Sequence, residues 1–505
     1  MQLTQTLHKA DQGDPGRVST IYRDRTRTVG ETIGRVARLA GALGTMGVGA
    51  GDRVGILALN SDRYHELLFA VPWANAVVNP VNVRWSAAEI AYSLRDCGTD
   101  VLFVDDTFAP LIDGFRDQVP HLRDVVFCGE GETPSGMLDY EILVGESDPV
   151  EDARRGGDDL FGVFYTGGTT GEPKGVMLSH RACLVSAMGS LVTSDVLSRG
   201  GMLLHAAPMF HLADIAAWNI GNLTGSTHVI VPSFTPVGVI EAIVRHRVTD
   251  ALLVPTMIQM LVDAPEALGA DLSSVRRVMY GASPISDTVL AKARSTLPNA
   301  MFSQAYGMTE LAPVATLLSA EDHLDATLAG SCGRPAVHAE VRITDPDDQE
   351  LPRGEVGQIL VRGEHVMSGY WNKPRETEAA LRDGWMHTGD AGYMDERGYV
   401  FVVDRIKDMI ITGGENVYSV EVENAVAKHP AVAQVAVVGM PDEQWGERVH
   451  AVVVCHAGTT VTLDGLQQTC RELIANYKLP RSLDVVDALP VSGAGKILKR
   501  ELRKP

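Results

Sequence analysis

The chain has 505 residues, 45% hydrophobic and 21% charged, which is ordinary globular usage rather than that of a disordered, collagenous or coiled-coil protein. Its 44 basic and 64 acidic side chains leave a formal charge of −20, so it lacks the basic footprint of nonspecific nucleic-acid binding and is poorly suited to anionic lipid. Length alone points to roughly three domains.

The six cysteines, at 97, 128, 183, 332, 455 and 470, make no C-x-x-C pair and no disulfide framework, so a reducing compartment, the cytoplasm, is expected. The first residues contain no apolar h-region, and no run of about 18 apolar residues occurs anywhere. A secretory signal and a transmembrane segment are therefore not expected. The final ELRKP matches no prenylation or peroxisomal tail.

In chain order, Ile33, Val36, Ala40 and Leu43 recur at helical spacing. Val54 to Leu59 reads as a buried strand, followed by helices near 62–70 and 86–95 and a strand at Val101–Val104. Strands are expected again at 227–231, 251–254 and 277–280, between helical stretches. Apolar strands alternating with helices imply sheets covered on both faces. After about 340, short strands at 341–344, 358–361 and 399–403 suggest a β-rich subdomain. A charged junction, Asp404-Arg-Ile-Lys-Asp408, precedes a strand at 409–412. The last hundred residues or so show a helix near 419–428, strands at 432–439 and 448–455, a helix near 463–476 and a strand near 482–487.

The densest local signal is Tyr165-Thr-Gly-Gly-Thr-Thr-Gly-Glu-Pro-Lys-Gly175, after the apolar run Phe161–Phe164. Glycines let backbone N–H groups approach an anion, threonine hydroxyls donate, and lysine adds charge, so this composition suits a phosphate. The Walker spacing is not met, because Lys174 follows Pro173.

This run resembles the phosphate loop of the adenylate-forming superfamily, which includes acyl- and aryl-CoA synthetases, nonribosomal peptide adenylation domains and beetle luciferases. Four more segments are similar to that family's motifs, in its order: Gln304-Ala-Tyr-Gly-Met-Thr-Glu310, Trp385-Met-His-Thr-Gly-Asp390, Asp404 to Asn416, and Gly493-Ala-Gly-Lys-Ile497. Two departures are Gly167, where serine is more usual, and Pro490-Val-Ser492, where Pro-Lys-Thr or Pro-Arg-Thr is more usual. Both leave the key lysines and Glu310 in place. Singly, Tyr306 would read as a core aromatic, Asp390 as a turn residue and Lys496 as a solvated lysine. It is the ordered set that carries the resemblance.

The resemblance implies an α/β fold: a large N-terminal adenylation domain of αβ-layered sheets plus a β-rich subdomain (1–403), a hinge (404–408) and a small mobile C-terminal α+β domain (409–505). It implies catalysis by Lys496, Thr169 and Glu310, with Mg²⁺ held by Thr169 and Glu310. ATP would be bound by Thr166, Gly168, Thr169, Thr170, Gly171, Lys174, Gly281, Ala282, Ser283, Tyr306, Gly307, Thr309, Asp390, Arg405 and Lys496. Lys407 would be the hinge pivot.

Pro208-Met-Phe-His-Leu-Ala213 resembles the segment that opens the acyl pocket. Amino-acid-activating relatives typically carry Asp where this chain has His211, so an α-amino acid is disfavoured. Asp214, one turn on, keeps it as an alternative. His211, Trp218, Ser283, Gly307, Met308 and Ala312 would line a neutral, mostly apolar pocket suited to a fatty or aromatic acid. Gly156-Gly-Asp-Asp159 lacks the serine of a carrier-protein site. Trp445-Gly-Glu resembles a segment near the CoA nucleotide in aryl- and acyl-CoA ligases, so CoA is the expected acceptor, with Gly413, Gly414, Glu415 and Trp445 at its site. The expected activity is therefore that of an AMP-forming acyl-CoA synthetase. Its partners would be the acid, ATP and CoA, with no nucleic acid, and the resemblance admits a homodimer. Alternatives are an aryl-CoA ligase specifically, a ligase loading a separate carrier protein, and a nucleotide-binding regulator without turnover.

Overall fold

The computed structural model describes residues 1–166, 172–283, 285–413, 415–471, 473–491 and 497–503. Contacts divide it into two compact units. One comprises Met1–Val341 with Val361–Met386, the other Arg342–Leu360 with His387–Pro505. The 404–408 segment lies inside the second unit.

The first unit carries two large sheets. In the nine-stranded sheet, strands Thr227–Ile230, Met202–His205, Asp250–Leu252, Arg277–Gly281 and Met301–Gly307 run parallel. Antiparallel strands finish both edges: Arg25–Thr28 at one, and Val314–Leu318 with Arg334–Pro335 at the other. The eight-stranded sheet is parallel through Thr99–Val104, Arg53–Leu57, Val77–Pro80 and Leu160–Thr166, then turns antiparallel at Lys174–Ser179 and Gly369–Tyr370. The sheets are therefore mixed rather than purely parallel. The hairpins at 18–28 and 160–179 carry no clear period-2 pattern, and were not expected as hairpins.

Helix Asp62–Trp73 shows why the interior is layered. All twelve of its residues are buried, and it touches strands of both sheets. Ser61 caps it by accepting from the Tyr64 N–H. Its charged residues are matched: Arg25 pairs with Asp62 at 2.8 Å, Arg35 with Glu66 at 2.7 Å, and the Tyr140 hydroxyl donates to Glu66 at 2.7 Å. Buried charge is tolerable only with such partners. Helix His180–Thr193 likewise touches both sheets.

In the second unit, Ile410–Thr412, Gly446–Cys455 and Val432–Asp442 form an antiparallel sheet joined by Ser482–Val485, with helices Ser419–Val426 and Leu463–Arg471 packed on its core. The second helix ends sooner than the 463–476 expected, and a 3-10 turn, Asn476–Lys478, follows. Among the described residues, no helix is long and apolar enough to cross a membrane.

Candidate active site

The glycine-rich motif joins two antiparallel strands. Tyr165 stands opposite Gly175 and Thr166 opposite Lys174, so Thr166 and Lys174 frame the mouth of the loop. The Tyr165 hydroxyl donates to Asp96 at 2.6 Å, which ties the hairpin to helix Ala87–Cys97. A Cβ on Gly175 would lie 2.6 Å from Val163 Cγ1, so that position requires glycine. Gly167, Gly168, Thr169, Thr170 and Gly171 lie outside the described residues.

Tyr306 and Gly307 end the strand Met301–Gly307, with Gly281 beside Ala305 and Tyr306 opposite Thr316. Gly281 and Gly307 have no positive φ. Their requirement is close approach instead: a Cβ would lie 2.3 Å from the Ala305 carbonyl oxygen at Gly281, and clash with Pro313 O at Gly307. Ala282 and Ser283 are exposed at the end of the neighbouring strand, Ala282 with a left-handed φ of 67°. Met308 is half-buried. Thr309 and Glu310 begin a 3-10 turn, and Glu310 is buried at 7% exposure.

Two groups that sequence reasoning missed hold Glu310. The Tyr370 hydroxyl donates to its Oε1 at 2.8 Å, and the Met367 N–H donates to its carbonyl at 2.8 Å. Tyr370 pairs with Val176 on the phosphate hairpin, and Lys174 Nζ sits 5.0 Å from the centre of its ring. One short segment thus joins the Glu310 turn to the Lys174 strand. Nothing in the spacing from 310 to 370 could have signalled this. The one hint was the aromatic pair Tyr370-Trp371 directly after Gly369.

The acyl segment departs from expectation. Trp218 was expected to line the pocket, but it is 1% exposed, donates from its indole to His65 Nδ1 at 2.9 Å and packs on Phe69 with ring centres 4.6 Å apart. It is a core residue. Helix Leu212–Thr224 is apolar nearly all round, so periodicity could not say which face meets substrate. Asp214 is buried, with its Oδ2 2.7 Å from His205 Nδ1, and His205 Nε2 is 2.8 Å from His228 Nδ1. Burial pushes His65 down to about 3 and His228 well below its ordinary value, so both rings are neutral at pH 7. His211, half-buried, precedes the helix with its ring centre 4.1 Å from that of Phe210. Ala312 is buried, and its φ of 59° is left-handed.

In the second unit, Asp390 and Arg405 face each other on adjacent strands, and Arg405 Nε lies 2.6 Å from Asp390 Oδ1. Lys407 is exposed in the 3-10 turn Ile406–Asp408, and its carbonyl accepts from Arg503 at 3.4 Å. Gly413, with φ of 61°, donates its N–H to the Trp445 carbonyl at 2.8 Å, and a Cβ there would lie 2.9 Å from the Trp445 ring. Trp445 and Glu415 are exposed, and the Arg481 guanidinium lies 5.0 Å from the Trp445 ring centre. Arg481 was not anticipated. Gly414 and Lys496 lie outside the described residues; Val491 and Ile497 pair as an antiparallel bridge.

Residues 7–371 match the family described as AMP-binding enzyme, and residues 421–496 the one described as AMP-binding enzyme C-terminal domain. Feruloyl-CoA synthase of an Amycolatopsis species is 39% identical over 481 residues, covering 94% of this chain and 93% of its own. Indoleacetate–CoA ligase of Aromatoleum aromaticum is 36% identical, covering 100% of this chain and 98% of its own. Among solved structures, o-succinylbenzoate CoA synthetase from Bacillus subtilis, in complex with its acyl-adenylate intermediate, has a TM-score of 0.86 at 30% identity, covering 99% of this chain and 98% of that one. With its motifs in order on this fold, the chain belongs to the AMP-binding enzymes of the adenylate-forming superfamily, as an AMP-forming carboxylate–CoA ligase.

Proposed function

We propose that the substrate is a carboxylic acid without an α-ammonium group, aromatic or arylalkanoic in first place and fatty in second. A carboxylate oxygen attacks the α-phosphorus of ATP, and the bond to pyrophosphate breaks. The CoA thiolate then attacks the acyl carbon, and the bond to AMP breaks. The first step brings an anion to a polyanion, so the residues act by charge stabilisation and positioning.

In this reading Thr166, Gly168, Thr170, Gly171 and Lys174 bind the phosphates and Thr309 the α-phosphate. Tyr306 stacks on adenine, beside Gly281, Ala282, Ser283 and Gly307. Asp390 and Arg405 take the ribose hydroxyls, and Lys496 bridges the carboxylate and the α-phosphate. Thr169 and Glu310 would hold magnesium. The oxygen donors and the buried Glu310 carboxylate suit a hard cation, which when bound neutralises phosphate charge. Gly413, Gly414, Glu415 and Trp445 serve CoA, and Arg481 adds positive charge beside the exposed indole. His211, Met308 and Ser283 remain the pocket candidates. A cytoplasmic setting fits six free cysteines.

The acid class rests on the pairing of Asp214 with His205. A carboxylate turned to a buried imidazole leaves the start of this helix without the acidic partner that a substrate ammonium needs. The aromatic acids named in the two relatives support the same choice. The test is AMP release with ATP over benzoic, cinnamic, indoleacetic, fatty and amino acids, with and without CoA. Turnover of an aromatic acid with thioester formed only in the presence of CoA is expected. Preferred turnover of an amino acid would sink the reading.

A further inference from the structure

We infer that Tyr370 is a positioning residue for the Glu310 carboxylate, and through it for the divalent cation bound with ATP. The inference rests on the nucleotide-site reading above, in which Glu310 is a cation ligand.

A small divalent cation demands nearly ideal geometry from its oxygen ligands, so a flexible glutamate must be held before the ion arrives. Here the holding is done from one short segment. Met367 fixes the Glu310 backbone through its carbonyl, and three residues later the Tyr370 hydroxyl fixes carboxylate Oε1 at 2.8 Å. Tyr370 is itself immobilised. It is 8% exposed, its backbone N–H donates to Thr377 Oγ1 at 2.9 Å, and its strand pairs with Val176. The next residue, Trp371, donates its N–H to the Gly175 carbonyl at 2.7 Å and its indole to the Asp96 carbonyl at 2.9 Å.

The choice of donor matters chemically. An arginine or lysine at this place would neutralise the carboxylate and compete with the cation. A phenol orients the oxygen while leaving the full negative charge for the metal. The other side of Tyr370 faces the phosphate hairpin, where Lys174 Nζ sits 5.0 Å from the ring centre. Hydroxyl and ring thus address the two charges, Glu310 and Lys174, that the reading assigns to cation and phosphate.

Tyr370→Phe keeps the ring, the strand and the Lys174 contact, and removes only the donor. The probe is Mn²⁺, titrated by electron paramagnetic resonance into the full chain with a non-hydrolysable ATP analogue. Loss of an outer-shell partner typically weakens metal binding about 10–100-fold, so the Mn²⁺ Kd should rise at least about tenfold. Affinity for the analogue in EDTA should stay unchanged. In the Glu310→Gln background the effect of Tyr370→Phe on Mn²⁺ should vanish. Wild-type Mn²⁺ affinity in Tyr370→Phe overturns the inference, as does an equal loss of analogue binding without metal, which marks a merely structural role. If Glu310→Gln itself leaves Mn²⁺ binding intact, it is the nucleotide-site reading that fails. Should Tyr370→Phe melt far below the wild type, 4-aminophenylalanine at 370 restores a neutral N–H donor of similar reach. Wild-type Mn²⁺ affinity there supports the role of the donor, and a tenfold loss refutes it.

Discussion

Asp404 caps the helix that begins at Ser419: its Oδ2 accepts from both the backbone N–H and the hydroxyl of Ser419, the latter at 2.7 Å. A carboxylate at a helix N-terminus meets unsatisfied N–H groups and the positive end of the dipole. The Ser419 hydroxyl also accepts from Lys499, whose Nζ lies 2.8 Å from Glu423. Arg503, just past the end of the short helix Lys499–Leu502, reaches the Lys407 carbonyl at 3.4 Å and Asp408 at 3.1 Å. The segment after Lys496 is thus tied to the segment around Lys407.

Lys499→Met should destabilise the chain at pH 7 by about 1–3 kcal/mol, because it leaves the half-buried Glu423 carboxylate without its cation. Burial already pushes the Glu423 carboxyl up, and Lys499 opposes that shift. Without Lys499 the folded form keeps a proton that the unfolded chain releases, so stability should fall as pH rises above the ordinary glutamate range. Urea melts at pH 4 and pH 7 check this. A deficit that is the same at both values would mean that Glu423 is not the group responsible.

Lys496 and Lys407 should separate the two half-reactions. Removing a preorganised donor from a developing anionic centre costs on the order of 10²–10³ in rate. Lys496→Ala should lose that much in adenylate formation, yet convert a supplied acyl-adenylate to thioester near the normal rate. Lys407→Pro fixes φ near −65° and restricts Ile406. It should slow thioester formation far more than adenylation. Single-turnover assays of each half-reaction decide, and parallel losses in either variant would refute its assigned role.

Acid should destabilise the first unit through its buried histidines. Burial lowers His65 and His365 to about 3 and His180 to about 4, and holds His228 well below its ordinary value. Between those values and the ordinary histidine value, the unfolded chain binds protons that the folded chain refuses. Stability is then complete above about pH 6.5 and is lost as pH falls toward 4. At pH 5 each such histidine should cost about 2 kcal/mol. Thermal melts from pH 8 to 4.5 should be flat and then fall, and His228→Gln should shift that fall toward lower pH.

Enlarging the acyl pocket wall needs a site that tolerates it. Ala312 does not, because it is buried. Leucine there overpacks its surroundings at a cost of about 1–3 kcal/mol, so Ala312→Leu should lower turnover of every acid alike. Met308 has extended backbone, with φ of −153°, and is half-buried. Each buried methylene is worth about 0.8 kcal/mol. Met308→Trp should therefore lower kcat/KM for the bulkiest acids by one to two orders of magnitude, with little change for short ones. No shift in this profile would remove Met308 from the pocket.

The sequence alone determined the chemistry and the main elements. Glycine, threonine, lysine and carboxylate residues occur at fixed local spacings, and apolar periodicity reports one helix or strand at a time. That is why the family could be read from the segments around Lys174, Tyr306–Glu310 and Asp390. Tertiary structure decided whatever depended on residues far apart in sequence. Tyr370 meets Glu310 across 60 residues, and Arg481 meets Trp445 because the strands that follow them, Ser482–Val485 and Gly446–Cys455, pair in parallel. Trp218 looks like a pocket residue and Asp214 like a partner for a substrate ammonium, on a helix that is apolar nearly all round, yet Trp218 bonds His65 and Asp214 bonds His205 in the core. The physical reason is common to all four. Periodicity records that a side chain is buried, while its burial partner is set by strand order and by the need of every buried polar group for a hydrogen bond.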